Sequence, residues 1–229
     1  MSISRLSNSR LSCRMGLKMR PKKGNKSKII EAAIDLFNKD GVGNVGTNRI
    51  AAHLQISPGN LYYHFRDKED IIRAIFPEIS AATEAALMIN EPNLPGEAQL
   101  VAIAKNWMTV VWKYRFFYGN LVELLRNDPE LRKLYGRRRE ATLHFIKSAL
   151  LATRIREKQG KSPLDGESAM RLAINIWIIA LNWIRYLQID KSDAEISEAE
   201  ITDGAHQIFA LLEPYLDEQA AVILRESFK

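Results

Sequence analysis

A single cysteine, Cys13, stands in the 229-residue chain. One thiol cannot close an intramolecular disulfide, which excludes a disulfide-stapled scaffold and fits a reducing compartment. Glycine (12) and proline (8) are modest in number, and alternating apolar–polar stretches are scarce. The expected fold class is therefore all-α. Metal-ligand spacing is missing: His53, His64, His144 and His206 have no second histidine or cysteine at a coordinating interval, and Glu140 with His144 reads as a surface or core pair. There is no P-loop, no G-x-S-x-G and no neighbouring cysteine–histidine pair, so no catalytic residue, metal or cofactor is expected. Gly41–Gly46 does spell G-x-G-x-x-G. That stretch follows a helical pattern, whereas a dinucleotide fingerprint needs a strand before it.

Long uninterrupted apolar runs are also wanting. Leu172–Ile189 comes nearest, with Arg185 its one charge, but Asn175, Asn182 and Gln188 interrupt it. A helix that is apolar nearly all round is better explained by two buried faces than by a membrane span.

Acid is absent from the first 26 residues, which hold eight Lys/Arg. Over residues 1–75 the balance is fourteen basic to six acidic, and the remaining 154 residues carry nineteen to twenty-one. Basic charge concentrated in one part of a chain is what phosphate neutralisation requires. The arm superficially resembles an organelle transit peptide. Two other readings stand open: translation starts at Met15 or Met19, or Lys22, Lys23 and Lys26 settle along phosphates or a minor groove.

The stretch Thr47–Phe65, TNRIAAHLQISPGNLYYHF, reads as two short helices joined by a tight turn. Thr47 is the expected N-cap of the first, with Ile50, Ala51 and Leu54 inward. Ser57 caps the second and Pro58 takes its first position, where a missing N–H costs nothing. Leu61 and Phe65 share the inward face. Gly59, Asn60, Tyr62, Tyr63 and His64 remain outward, a short polar and aromatic surface suited to a DNA major groove. Lys68, just beyond, is the expected phosphate clamp.

At this point the chain resembles a known family. Residues 28–75, with IIEAAIDLF and then TNRIAAHLQISPGNLYYHFRDKEDII, closely resemble the DNA-binding domain of TetR-family transcriptional regulators. The ending LYYHF-x-x-K-E is specific to that family, and FFY…LL…DPEL from Phe116 onward resembles the sensor domains of one subgroup. The resemblance implies a basic arm (1–25), a three-helix helix-turn-helix DNA-binding domain (26–75) and a helical ligand-binding and dimerisation domain (76–229).

Within the second domain, helices are expected over about 97–118, 121–127, 129–158, 172–189 and 198–212, with a linker at 90–95 and a kink or break at Pro77. Trp107, Met108, Trp112, Phe116, Phe117 and Trp177 are candidates for an apolar ligand cavity, although aromatics at helical spacing also serve as core. By the resemblance, Ile178, Leu181, Arg185, Ile201, Ala205, Ile208, Phe209 and Leu212 would form the subunit contact of a four-helix bundle. The expected function is a cytoplasmic homodimeric repressor. It would bind a roughly palindromic double-stranded DNA operator and respond to a small apolar or amphipathic effector, without a membrane partner. The alternative is a ligand-independent architectural DNA-binding protein, which the basic arm favours.

Overall fold

The computed structural model describes residues 24–88, 96–152 and 164–227, and the regular structure among them is helical, without a strand. Lys22 and Lys23, the linker at 90–95 and the end of the 129–158 helix fall outside the described residues.

The first helix, α1 (Asn25–Asp40), buries Ile29, Ile30, Ala33, Ile34 and Phe37 as one stripe. Gly41 ends it at φ 81°, a left-handed value that glycine adopts without Cβ strain, and its N–H donates to the Phe37 carbonyl at 3.1 Å. A 3-10 turn (Val42–Asn44) leads to α2 (Thr47–His53) and α3 (Pro58–His64). Ile29, Ala33, Phe37, Ile50, Leu61 and Phe65 close the core among these helices.

Next comes α4 (Lys68–Leu87), capped by the Asp67 carboxylate, which accepts from the Asp70 N–H at 2.7 Å. Of the kink or break expected at Pro77, the break does not occur: α4 runs through it. Proline removes one backbone bond there, but Pro77 lies on the exposed face while Ile71, Ile72, Ile75, Phe76 and Ile79 anchor both sides of it. Burial of the opposite face holds the helix together.

The expected helix over 97–118 is corrected to two, α5 (Gly96–Lys113) and α6 (Arg115–Gly119), parted at Tyr114. The reason is a side chain from α1. Asn38 Nδ2 donates to the Lys113 carbonyl at 2.8 Å and its Oδ1 accepts from the Phe116 N–H at 3.0 Å. One amide thus satisfies both loose ends of the break, and Phe116 packs on Phe37 with ring centroids 5.2 Å apart.

The chain continues as α7 (Leu121–Asn127), α8 (Pro129–Ala152), α9 (Gly166–Leu187), α10 (Glu198–Leu212) and a tail helix α11 (Glu218–Glu226). Asp128 caps α8, accepting from the Leu131 N–H at 2.9 Å. Ser197 and Glu200 form a reciprocal capping box at the start of α10. Packed against α5 are α4, α9 and α10. Gly204 of α10 lets it approach α9 and α5 closely, since a Cβ there would lie 2.6 Å from Trp183 and 2.8 Å from Met108. Buried side chains form one continuous cluster from Ile29 to Ile208, so α4, which contains residues 75 and 76, serves both halves of the molecule.

Candidate nucleic-acid interface

In α3, Leu61 is fully buried and Phe65 nearly so, while Pro58, Gly59, Asn60, Tyr62 and Tyr63 are exposed and His64 is half-buried. Tyr63 is 85% exposed, so its ring projects from the molecule. It meets His64 edge to face at 5.0 Å. Ser57 caps the helix as expected, accepting from the Asn60 N–H at 3.2 Å.

The turn before α3 is set by Gln55, the sole non-glycine residue with positive φ (55°) among the described residues. Its N–H and that of Ile56 donate to the Ala52 and Ala51 carbonyls, which ties the turn back onto α2. Nothing in the residue type marks this position, because glutamine has no preference for the left-handed region.

Thr47 differs from its expected role. The N-cap of α2 is Gly46, and Thr47 is the first helical residue, its hydroxyl 3.1 Å from the Tyr62 hydroxyl. This contact fixes Tyr62 against α2. Lys68 also has a structural duty: its ammonium donates to the Val42 carbonyl at 3.0 Å, joining the start of α4 to the turn after α1. Two of its three hydrogens remain for another acceptor. Lys26 lies exposed with its ammonium 5.5 Å from the Phe65 ring, and Asn25 Nδ2 reaches Asn60 Oδ1 at 3.4 Å. The start of α1 therefore borders the outward face of α3.

Matches to known proteins agree with this geometry. Residues 29–75 match the family described as bacterial regulatory proteins, tetR family, and residues 80–222 match one described as bacterial transcriptional repressor. A TetR-family transcriptional regulator from Marinobacter aquaeolei VT8 superposes with a TM-score of 0.77 at 31% identity, over 90% of this chain and all of that one. The chain belongs to the TetR family of transcriptional regulators. It is thus a DNA-binding regulator and not an enzyme. An HTH-type transcriptional regulator of Staphylococcus aureus (strain USA300) is 49% identical over 49 residues, 21% of this chain. That match spans only 26% of the staphylococcal protein. A tetR-family protein from Rhodococcus RHA1, 21% identical with a TM-score of 0.63 over 85% of this chain and 98% of its own, shares the fold.

In the second half of this TetR-family chain, two cavities lie among α4, α5, α8 and α9, the first bordered also by α10 and the second by α6. One, of about 70 Å³, is lined by apolar side chains alone, among them Leu87, Leu100, Ile103, Phe145 and Leu150. The other, of about 20 Å³, is lined by Thr83, Tyr118, Tyr135, Arg138, Arg139 and Thr142 with apolar neighbours. Trp107 borders both, and Trp177 borders the second. The other candidates line neither. Met108 and Phe117 are fully buried in the core, Phe116 packs on Phe37, and Trp112 stacks under the Arg115 guanidinium at 4.2 Å. The residues missed, Tyr135, Arg138 and Thr142, carry a faint signal in sequence: polar side chains at inward spacing on α8.

Of the expected subunit-contact residues, Ile201, Ala205, Ile208 and Leu181 are buried within the protomer itself. Phe209 and Leu212 are half-buried and pack beside α11. Ile178 and Arg185 are exposed, and Ile174 and Tyr186 continue the apolar stripe of Ile178 along α9, with Ile189 just beyond its end. The α10 stripe read from its spacing is the inward face, because α5 already occupies it. No helix among the described residues is long and apolar enough to cross a membrane.

Proposed function

We propose that this TetR-family regulator is a cytoplasmic ligand-responsive repressor, which binds a palindromic operator as a homodimer with α3 in successive major grooves. The observation that carries the reading is the outward face of α3. Asn60, Tyr62 and Tyr63 are exposed on a helix whose opposite side is locked by Leu61 and Phe65. A rigid helix offering an amide and two phenols, next to a chain start rich in lysine, combines base-edge contacts with phosphate neutralisation. Pairing of the exposed α9 stripe with its symmetry mate would set two such helices one DNA turn apart. The DNA-contacting set is Thr47, Ser57, Pro58, Gly59, Asn60, Tyr62, Tyr63 and His64, with Lys26 and Lys68 toward phosphates.

Effector response is supported by α4, which lines the cavities at Phe76, Thr83 and Leu87 and opens at Lys68 beside the DNA-binding helices. A coupling of about 1–3 kcal/mol through that helix would change operator occupancy by roughly 5–150-fold.

The test uses a duplex selected from random sequence by the wild-type protein. Asn60→Ala and Tyr63→Ala should each lower affinity by about 1–3 kcal/mol equivalent and relax sequence preference, while Lys26→Ala should reduce the salt slope by about one. Wild-type affinity and preference in all three variants would refute the assignment of α3.

A further inference from the structure

The smaller cavity holds a cluster that the fold itself does not use. Trp107 Nε1, Tyr135 Oη and Arg138 Nε are buried polar atoms without a hydrogen-bond partner among the described residues, and all three residues line this one cavity. Trp107 is 3% and Tyr135 8% exposed, so neither side chain reaches bulk solvent. Leaving such groups unsatisfied costs about 1–3 kcal/mol each, and three around a single void mark a place where something else supplies the bonds.

The kind of group follows from the donors. An indole N–H and a guanidinium N–H can only donate, so the missing partner must be an acceptor. Burial pushes the Tyr118 phenol up to about 12, against a hydrogen bond with Thr83, and burial likewise pushes Tyr135 upward. Both phenols thus stay neutral at physiological pH, and Tyr135 adds a third donor. Arg138 and Arg139 bring positive charge, and no carboxylate among the described residues lines the cavity. The Arg138 charge is only partly answered by Glu84, at 3.2 Å on the opposite nitrogen, with half of the Glu84 side chain in solvent. The void, about 20 Å³, has room for a group little larger than a water, which suits a carboxylate better than a phosphate ester.

The apolar cavity gives the rest of the molecule. Along α8 the polar lining runs from Tyr135 to Thr142 and the apolar lining from Phe145 to Leu150. Along α4 the same order runs from Phe76–Thr83 to Leu87. At 1.5 Å per residue the two centres are roughly 11–14 Å apart, with the Trp107 indole between them.

We propose that this regulator's effector is an amphipathic monocarboxylate, with its carboxylate among Trp107, Tyr135 and Arg138 and its hydrocarbon body in the apolar cavity beyond. The proposal rests on the ligand-responsive reading above and names the ligand class for it. The hydrocarbon body is larger than the apolar cavity of about 70 Å³, so its entry wedges α8 from α4, the helix that carries the DNA-binding half.

The experiment titrates the full-length dimer with decanoate and, separately, with decanol, which has the same chain and no carboxylate. Tryptophan emission and calorimetry report binding, and fluorescence anisotropy on the selected operator reports response. Decanoate should bind about tenfold or more tighter than decanol and weaken operator binding, since bonds to a charged acceptor are worth that much. Arg138→Gln should abolish the preference while decanol binding persists, and persistence of decanol binding shows that the variant is folded. Trp107→Phe, which keeps a ring and removes the N–H, should reduce the preference in part. Equal affinity of the two compounds overturns the carboxylate assignment and, if both weaken operator binding, leaves the ligand-responsive reading intact. A preference that survives Arg138→Gln also overturns it. If neither compound binds, the assignment falls, and an operator affinity also unmoved by a panel of neutral apolar probes removes the ligand-responsive reading with it.

Discussion

Asn38 offers the sharpest test of how the two halves of the molecule are joined. Its carboxamide donates to the Lys113 carbonyl at 2.8 Å and accepts from the Phe116 N–H at 3.0 Å, so one α1 side chain closes the gap between α5 and α6. Asn38→Ala removes both bonds and replaces them with nothing. A backbone group stranded in the interior costs about 1–3 kcal/mol. Phe116 is 3% exposed, so its N–H bears a full penalty, whereas the Lys113 carbonyl lies nearer solvent and regains water. The expected loss is therefore about 2 kcal/mol rather than twice the upper value. For a chain of this size that corresponds to a fall in Tm of about 4–8 °C. Asn38→Asp separates the two bonds: a carboxylate still accepts from the buried Phe116 N–H and gives up only the bond to the Lys113 carbonyl, so most of the loss should be recovered at neutral pH. Scanning calorimetry on the three proteins at equal concentration measures both effects. An Asn38→Ala midpoint within one degree of wild type would refute the reasoning, because it would mean the Tyr114 break is held by packing of Phe116 on Phe37 alone.

Other consequences are equally direct. Gly204→Ala places a Cβ 2.6 Å from Trp183 and 2.8 Å from Met108, and should cost about 1–3 kcal/mol in a denaturant titration; an unchanged midpoint would contradict the close approach of α10 to α5. Burial alone would raise the Asp128 carboxyl, but the Leu131 N–H and the Arg73 guanidinium, 2.9 Å away, outweigh it and hold its pKa below the ordinary carboxylate range. Its contribution is therefore complete above about pH 5 and lost as pH falls through the depressed value. Asp128→Asn should lower stability by about 2 kcal/mol at pH 7 and by progressively less toward pH 2, a convergence that melting curves across pH would either display or deny. Ile178→Glu places a charge on the exposed α9 stripe, where Ile178 is 47% exposed in the protomer, and should yield a folded monomer by sedimentation. An unaltered dimer would remove α9 from the contact. A charge at Ala205 or Ile208, by contrast, should unfold the protomer, since both are within its core.

Local chemistry was enough to read the DNA-binding half from sequence. Ser57 before Pro58, the four-residue step from Leu61 to Phe65 and the glycine after α1 act within one or two helical turns, and neighbours along the chain decide them. The bounds of α7 and α10 were legible for the same reason: Asp128–Pro129 and the Ser197–Glu200 box are local stop and start signals. What tertiary structure decided are matters of partnership across distance. The break at Tyr114 depends on an amide 76 residues earlier, on another helix. Continuity through Pro77 depends on which face of α4 is buried, and the role of Thr47 on where the Tyr62 hydroxyl falls. Periodicity likewise found the stripes of α9 and α10 without saying which one the protomer covers, because amphipathicity records that a face is buried and not by what. The polar cavity is the extreme case. Trp107, Tyr135 and Arg138 stand on two helices, and only the packing of α5 and α8 on α4 brings three residues, each unremarkable in sequence, to one small void.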